Sequence, residues 1–416
     1  MMKKILVIGG GASGMAAAAF SANPGTEVTL IEKNEKLGKK VYITGKGRCN
    51  VTNASDIGTI IQNETSNPKF LYSALYGFTN TDLMELLEKN GCPLKTERGN
   101  RVFPVSDHSS DVIRAWERIL KNRSVRILLN TKVKEILAEE GSACGVLLSD
   151  GTRLESDAVI VCTGGLSYPS TGSTGDGYRF AERFGHRVTE TMPSLVPFET
   201  AESWAGSLAG LSLKNVSIRL SGKKGLYFTD FGEMLFTHTG VSGPVILTAS
   251  AKVGRQLKAE GTLKLEIDLK PALTEEELDA RILRDFAEEM NKDYVNSLSR
   301  LLPQRLITAV VEETGIDPRK KVHDLKREER RKLVHVIKHL SLTVTGTRGF
   351  NEAVITKGGV SVKDVDSVTM ESKKVKNLYF AGEVLDLDSC TGGYNLQTAW
   401  STGVLAGRSA GGYDGI

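Results

Sequence analysis

Glycine is concentrated in short runs that follow apolar stretches, and what such runs can do is bring bare backbone against a ligand. Gly9-Gly10-Gly11-Ala12-Ser13-Gly14 follows the apolar run Lys4 to Ile8 and precedes the helix-favouring stretch Met15 to Ala19. In this strand, turn and helix, Gly9 permits the turn and Gly11 admits a pyrophosphate. Ala12 and Ser13 are candidate contacts to the same ligand, and Gly14 lets helix and strand pack closely. A second strand, Glu27 to Ile31, ends at Glu32, followed by Lys33. An acidic side chain at Glu32 suits ribose hydroxyls and repels a 2′-phosphate, so this site expects an ADP moiety of FAD or NAD rather than NADP.

Three further segments favour FAD. Residues 38–53 lack apolar periodicity and read as a long ordered loop. Lys40, Thr44, Gly47, Arg48, Cys49 and Asn50 are its candidate contacts to a pyrophosphate and the polar edge of an isoalloxazine. Strand-like Ala158 to Cys162 ends in Thr163-Gly164-Gly165, which can close over the nucleotide. Upstream, 125–129 and 131–136 read as strands, with the backbone of Val133 as an adenine contact. Near the end, Asn377 to Phe380 leads to Gly382-Glu383, and Gly392-Gly393-Tyr394-Asn395 opens a helix to about Ser409. The positive end of that helix, aimed at a flavin pyrimidine, would stabilise negative charge there, a service NAD does not need.

At 416 residues the chain should form two or three domains. Its 40% hydrophobic and 25% charged residues are ordinary for a globular α/β enzyme. A net charge of +4 argues against nucleic acid as a partner. Glycines interrupt the apolar N-terminal stretch, so neither a signal peptide nor a membrane segment is expected, and a cytoplasmic location is. Five cysteines without a CxxC pair suit a reducing compartment, and no metal site is expected from their spacing.

The motifs GGGASG, TGKGRCNVTN, TGGLSYPSTGSTGDGY, FTHTGVSGP, ITKGGV and LYFAGEVLD with TGGYNLQTAW closely resemble the BaiN/RdsA-type flavoproteins, long labelled NAD(FAD)-utilising dehydrogenases. The resemblance spans nearly the whole chain and implies one tightly bound FAD in a glutathione-reductase-like Rossmann FAD-binding domain, residues 1–193 and 346–416. It also implies an inserted β-barrel-like domain, 194–272 with 341–345, and a small helical domain, 273–340. The residues accommodate this: 216–220, 226–228 and 263–267 are strand-like. Thr274 to Glu277 is a capping-box pattern opening a helix to about Asn291, and helical periodicity recurs at 303–313 and 325–340. Cys390 departs from the family pattern, which has a small residue there. Cys49 and Cys390 read as packing residues, because two cysteines separated by four residues, the disulfide-reductase signature, do not occur.

An FAD-dependent oxidoreductase follows, with NADH or NADPH as a transient donor, since no second GxGxxG with an acidic or arginine partner is present. The preferred acceptor is an activated carbon–carbon double bond in a hydrophobic small molecule. His238, Arg348 and Tyr394 are the candidate catalytic residues. One alternative is RNA modification, for which Lys326, Arg327, Arg330, Arg331 and Lys332 offer a basic run, interleaved with Glu328 and Glu329 in the manner of a solvated helix face. A non-catalytic flavin-bound redox sensor is another. The sequence leaves oligomeric state open.

Overall fold

The computed structural model describes residues 2–412. The chain divides into two compact units, Met1–Ser194 with Gly349–Ile416, and Leu195–Arg348. The centre of the first is a five-stranded sheet. Its strands run Leu378–Phe380, Ala158–Val161, Lys3–Ile8, Thr26–Ile31 and Arg126–Leu128 across the sheet, and every neighbouring pair is parallel. Ala158–Val161 is buried throughout and Lys3–Ile8 over its last four residues, as a parallel sheet covered on both faces requires. Several strands are shorter than the apolar runs suggest. Asn377 has φ +61°, a left-handed conformation that no strand can contain, so the last one begins at Leu378. Asn130, at φ +52°, similarly precedes a strand that starts only at Val133 and continues to Glu139.

Two helices meet on this sheet through residues too small to keep them apart. In the Tyr394–Gly411 helix, Gly403, Gly407 and Gly411 recur every four residues. They lie against Ser13, Ala17 and Ser21 of the Ala12–Ser21 helix, which carry the same spacing. A Cβ on the three glycines would come within 2.3, 2.4 and 2.9 Å of the carbonyl oxygens of Ser13, Ala17 and Ser21. Backbone therefore packs directly on backbone, so the first and last helices are locked in register. Trp400 stacks on Trp116 at 4.9 Å, both fully buried.

The segment 38–53 corrects the reading as one long loop. Gly38, at φ +65°, turns the chain into a helix, Lys39–Ile43, then a 3₁₀ turn, Thr44–Gly47, and a strand, Thr52–Asn53. Five helical residues with one buried side chain, Val41, are too few to show periodicity. The strand is fixed from a distance, pairing with Arg101–Pro104, which pairs with Leu94–Glu97.

In the second unit six strands close into an antiparallel barrel: Phe198–Thr200, Gly240–Ser242, Gly225–Thr237, Ser212–Gly222, Leu263–Asp268 and Leu340–Thr347, in that order around it. Alternate residues such as Ile218, Leu220, Leu265, Ile267, Leu342 and Val344 are buried, the period-two pattern of a filled small barrel. The helices Glu275–Glu288, Gln304–Thr314 and Arg327–Lys338 bury Ile282, Val310 and Ile337 in the same apolar cluster as the barrel residues. Barrel and helices thus share one core, where the sequence reading placed a division at 272/273. The last strand pairs Thr347 with Phe198, so the unit ends at Arg348, beyond the expected 345. The Thr274 capping box is present, but its helix ends at Glu288 rather than near Asn291. Among the described residues no helix is long and apolar enough to cross a membrane.

Candidate functional site

The first glycine turn is tight on one side and open on the other. A Cβ at Gly14 would lie 1.7 Å from the Gly9 carbonyl oxygen, and one at Gly9 would lie 2.5 Å from that of Cys162. At Gly11 nothing stands within 4 Å. Gly11 caps the Ala12–Ser21 helix without a side-chain hydrogen bond, which leaves the first-turn N–H groups at Ala12 and Ser13 as donors for an anion. Glu32 is 7% exposed and both its oxygens are engaged. Oε2 accepts from Gly10 N–H (2.7 Å), and Oε1 accepts from the Asn34 N–H (2.8 Å) and Nδ2 (2.7 Å). The carboxylate is thereby held rigid at the lip of the turn, with lone-pair capacity left for hydroxyl donors. Lys33 faces elsewhere, donating to Thr174 (2.6 Å) and Asp176 (2.7 Å), and so ties the 163–177 segment to the end of the second strand. Val133 is buried in its strand, opposite Leu148, two residues after Thr131 donates to the Glu32 carbonyl.

Three distant segments converge on Glu383. Lys40 Nζ lies 2.6 Å from Glu383 Oε2 and donates to Ser167 Oγ at 2.6 Å; Ser167 Oγ donates to Glu383 Oε1 at 2.6 Å, and Thr356 N–H to the same oxygen at 2.8 Å. Thr356 Oγ1 accepts from the N–H groups of Leu166 and Ser167. Gly382 (φ +77°) is required beside this network, since a Cβ there would lie 2.4 Å from Ser13 Oγ. Gly165 is equally confined, 2.4 Å from Thr356 Oγ1. Gly164 takes φ +69°, and the adjacent Thr163 Oγ1 is buried without a protein partner. An orphaned hydroxyl of this kind calls for a ligand or water.

The start of the last helix is held by residues 50–53, which end in the Thr52–Asn53 strand. Asn50, with its amide nitrogen donating to Val102 O (3.2 Å) and Thr52 O (3.1 Å), accepts Gly393 N–H at 2.9 Å. Asn53 Nδ2 donates to Gly392 O (2.9 Å), and Thr52 Oγ1 to Gln397 Oε1 (2.6 Å). Gly393, at φ +96°, could carry no side chain, because Thr52 O lies 2.3 Å from its Cβ position. Tyr394 is 8% exposed and burial pushes its hydroxyl up, which keeps the phenol neutral. Asn395 serves the backbone, receiving Ser389 N–H and donating to the carbonyls of Ser389 and Cys390.

Other residues of the 38–53 segment also serve the protein. Arg48 pairs with Glu97 and Asp107, lies 4.2 Å over the Phe103 ring, and has its guanidinium held more firmly protonated by those two hydrogen bonds. Thr44 Oγ1 donates to Val41 O, and Gly47 (φ +86°) has open space around it. The fully buried Cys49 thiol is pushed up to about 12 by desolvation, which leaves it protonated and inert. Cys390 is buried too.

The catalytic candidates do not gather in one unit. Tyr394 belongs to the first, while His238 and Arg348 belong to the second. His238 is exposed on the turn between Gly225–Thr237 and Gly240–Ser242, and Arg348 lies 3.4 Å from Glu199. Sequence reasoning passed over Thr356, which lies within ITKGGV, and Asn53 and Gln397, which lie within RCNVTN and GGYNLQ; motif membership was their signal. Glu64 offered none. It is 5% exposed, its Oε1 accepts from Ser389 Oγ and Thr398 Oγ1 (each 2.7 Å), and its Oε2 is unpartnered. Burial pushes its carboxyl up to about 7.

These features fit a dinucleotide: an uncapped helix start with bare backbone, a rigid buried carboxylate at the lip of the turn, and a second glycine-bearing helix start in the same unit. The profile of a family described as “HI0933-like protein Rossmann domain” matches residues 3–409. The chain is 32% identical to a 3-dehydro-bile acid delta(4,6)-reductase of Clostridium scindens, over 98% of this chain and 99% of that protein. It is 34% identical to a ribosomal RNA dihydrouridine synthase of Haemophilus influenzae, over 95% of this chain and 96% of that one. The solved structure of a 3-ketosteroid delta1-dehydrogenase from Sterolibacterium denitrificans is similar in fold, with a TM-score of 0.53 at 14% identity, covering 99% of this chain and 100% of that chain.

Proposed function

The chain belongs to the HI0933-like Rossmann-domain family and is a flavoprotein oxidoreductase, and from that premise we propose that it holds one FAD and reduces a carbon–carbon double bond conjugated to a carbonyl, with NADH or NADPH as transient donor. The observation that carries this reading is the presence in one unit of two glycine-bearing helix starts. One is open and anchored by Glu32; the other is pinned by Asn50 and Asn53.

In this reading the N–H groups around Gly11, Ala12 and Ser13 take the pyrophosphate between Gly9 and Gly14, and Glu32 takes the adenosine ribose. Thr163, Gly164 and Gly165 close over the nucleotide, and Thr163 Oγ1 finds its partner there. Lys40 and Glu383 would hold the ribityl chain, and the Gly392-Gly393-Tyr394 helix start would offer its positive end to the pyrimidine. Bound FAD would supply the hydride acceptor and donor that no side chain can provide. Hydride addition to a conjugated double bond leaves an enolate that needs a proton. Tyr394, neutral and beside that helix start, is the first choice of donor. His238 and Arg348 receive no such support: one sits on a solvent-facing turn, the other beside Glu199.

The names of both relatives denote saturation of a ring double bond, in a bile acid in one case and in uridine in the other. A hydrophobic enone is the acceptor we favour. The uridine of ribosomal RNA is the second reading, supported by the 34% identity to a protein of that name. Against it, the basic run at 326–332 is partly consumed internally: Arg330 is bidentate on Asp279 (2.5 and 3.1 Å).

Purified protein should be yellow and release FAD on denaturation, and anaerobic NADH or NADPH should bleach it. A colourless protein that takes up no added FAD overturns both readings. Reoxidation of the reduced protein by a steroidal enone, with a product two mass units heavier, supports the first. Loss of a dihydrouridine from ribosomal RNA in a deletion strain, by nucleoside mass spectrometry, would transfer the assignment to the second.

A further inference from the structure

The Arg327–Lys338 helix ends in a histidine pair that its sequence position does not explain. His335 stands in the last turn, and His339 follows as the C-cap, four residues on and hence on the same face. The rings are 4.8 Å apart. Opposite them is Glu275, the first residue of the Glu275–Glu288 helix, placed there by the Thr274 capping box. One ligand atom from each of Glu275, His335 and His339 can be chosen so that all lie within 4.8 Å of one another, and His339 Nε2 is already 3.4 Å from Glu275 Oε1. On the far side of the same ring, His339 Nδ1 lies 3.8 Å from Glu266 Oε1, on the Leu263–Asp268 strand.

Helix-end electrostatics account for a glutamate at one helix start and a histidine at another helix end. They do not account for a second imidazole beside the first, with both rings facing one carboxylate. We propose that Glu275, His335 and His339 form a binding site for a divalent transition-metal ion of the zinc class, which staples the end of the Arg327–Lys338 helix to the start of the Glu275–Glu288 helix. Two imidazoles and one carboxylate are a zinc donor set, and three protein ligands leave a position for water. A small contraction brings the three atoms to zinc distance, which exposed side chains at Glu275 and His335 can make by rotamer changes. Glu266 takes the role of the carboxylate that accepts from the other nitrogen of a metal-bound histidine and fixes the orientation of the ring. The site escapes cysteine arithmetic, because its ligands are a histidine pair and a glutamate 60 residues earlier in the chain.

The test is calorimetric titration of the full-length protein with zinc chloride, together with its melting temperature at each zinc concentration. One equivalent should bind and raise the melting temperature. His335→Ala and His339→Ala should each weaken binding by more than about 100-fold, and Glu266→Gln by about 10-fold, the lower end for a residue that orients a ligand. His323→Ala, another surface histidine of the same unit, should bind as the parent does. Glu275→Gln replaces an exposed side chain outside the core and should weaken binding while melting normally without zinc, so a folding defect at the histidines would not hide the answer. The absence of a one-equivalent site, or equal affinity in His335→Ala, His339→Ala and Glu275→Gln, overturns the proposal.

Discussion

The two glycine-bearing helix starts of the first unit look alike in sequence and are built differently. At the N-terminal one, the glycine nearest the proposed ligand, Gly11, has open space where a side chain would be, and the crowding falls on Gly9 and Gly14 behind it. At the C-terminal one, Gly393 itself is crowded, jammed against Thr52 O and bonded through Asn50. The first is a local device, complete within a strand, a turn and a helix. The second exists only because a strand some 340 residues earlier folds against it. A local device can recur in any nucleotide-binding sheet, whereas the second start is what makes this unit particular.

The sharpest way to break the comparison is to add one methyl group at each glycine. Gly14→Ala puts carbon 1.7 Å from backbone oxygen, and no rotamer can relieve it. We expect little soluble protein, or a loss of about 3 kcal/mol or more by thermal melting. Gly393→Ala adds a left-handed penalty to a 2.3 Å contact and should cost about 2–4 kcal/mol along with the flavin. Gly11→Ala should behave in the opposite way, melting within about 0.5 kcal/mol of the parent while holding much less FAD. Normal flavin content in Gly11→Ala would end the claim that this turn cradles a phosphate.

Glu64 sharpens the comparison through pH, since its carboxyl accepts from Ser389 and Thr398 at the second helix start. Its carboxyl is raised from 4.5 to about 7 in the folded protein, so between those values the native state binds more protons than the unfolded one. Its protonation therefore favours the fold at low pH, and that contribution is lost as pH rises from about 4.5 through about 7. Glu64→Gln, which cannot ionise, should melt above the parent at pH 8 by up to about 3 kcal/mol and close to it at pH 4.5. A difference independent of pH would show that the carboxyl is not raised in the folded protein. The smallest effect is expected at His238→Ala: an exposed turn residue should change stability by less than about 0.5 kcal/mol and leave NAD(P)H-dependent bleaching untouched. A lost proton-transfer step there would restore it as a catalytic candidate over Tyr394.

The first strand, turn and helix, the Glu32 partner and the start of the last helix were legible because each is a contiguous pattern whose period or spacing has one physical meaning. The roles of single polar residues were not. Lys33, Arg48 and Asn395 have donors suited to a cofactor, yet their partners are Asp176, Glu97 and the Ser389 backbone. A side chain with several donors reads the same whether it will meet a ligand or a neighbouring carboxylate. The short helix at Lys39–Ile43 was hidden for a related reason, being too brief to carry a period.

What the sequence by itself determined is the set of local devices: where glycine is needed, which runs are strands, and that a carboxylate stands at the end of the second one. These follow from backbone sterics and side-chain periodicity within a few residues. Only the tertiary structure decided which devices meet. The Gly403, Gly407 and Gly411 face on Ser13, Ala17 and Ser21, the convergence of Lys40, Ser167 and Thr356 on Glu383, and the histidine pair facing Glu275 all join residues far apart in the chain. Such contacts arise from packing two elements at a particular depth and register, and neither element carries that information alone.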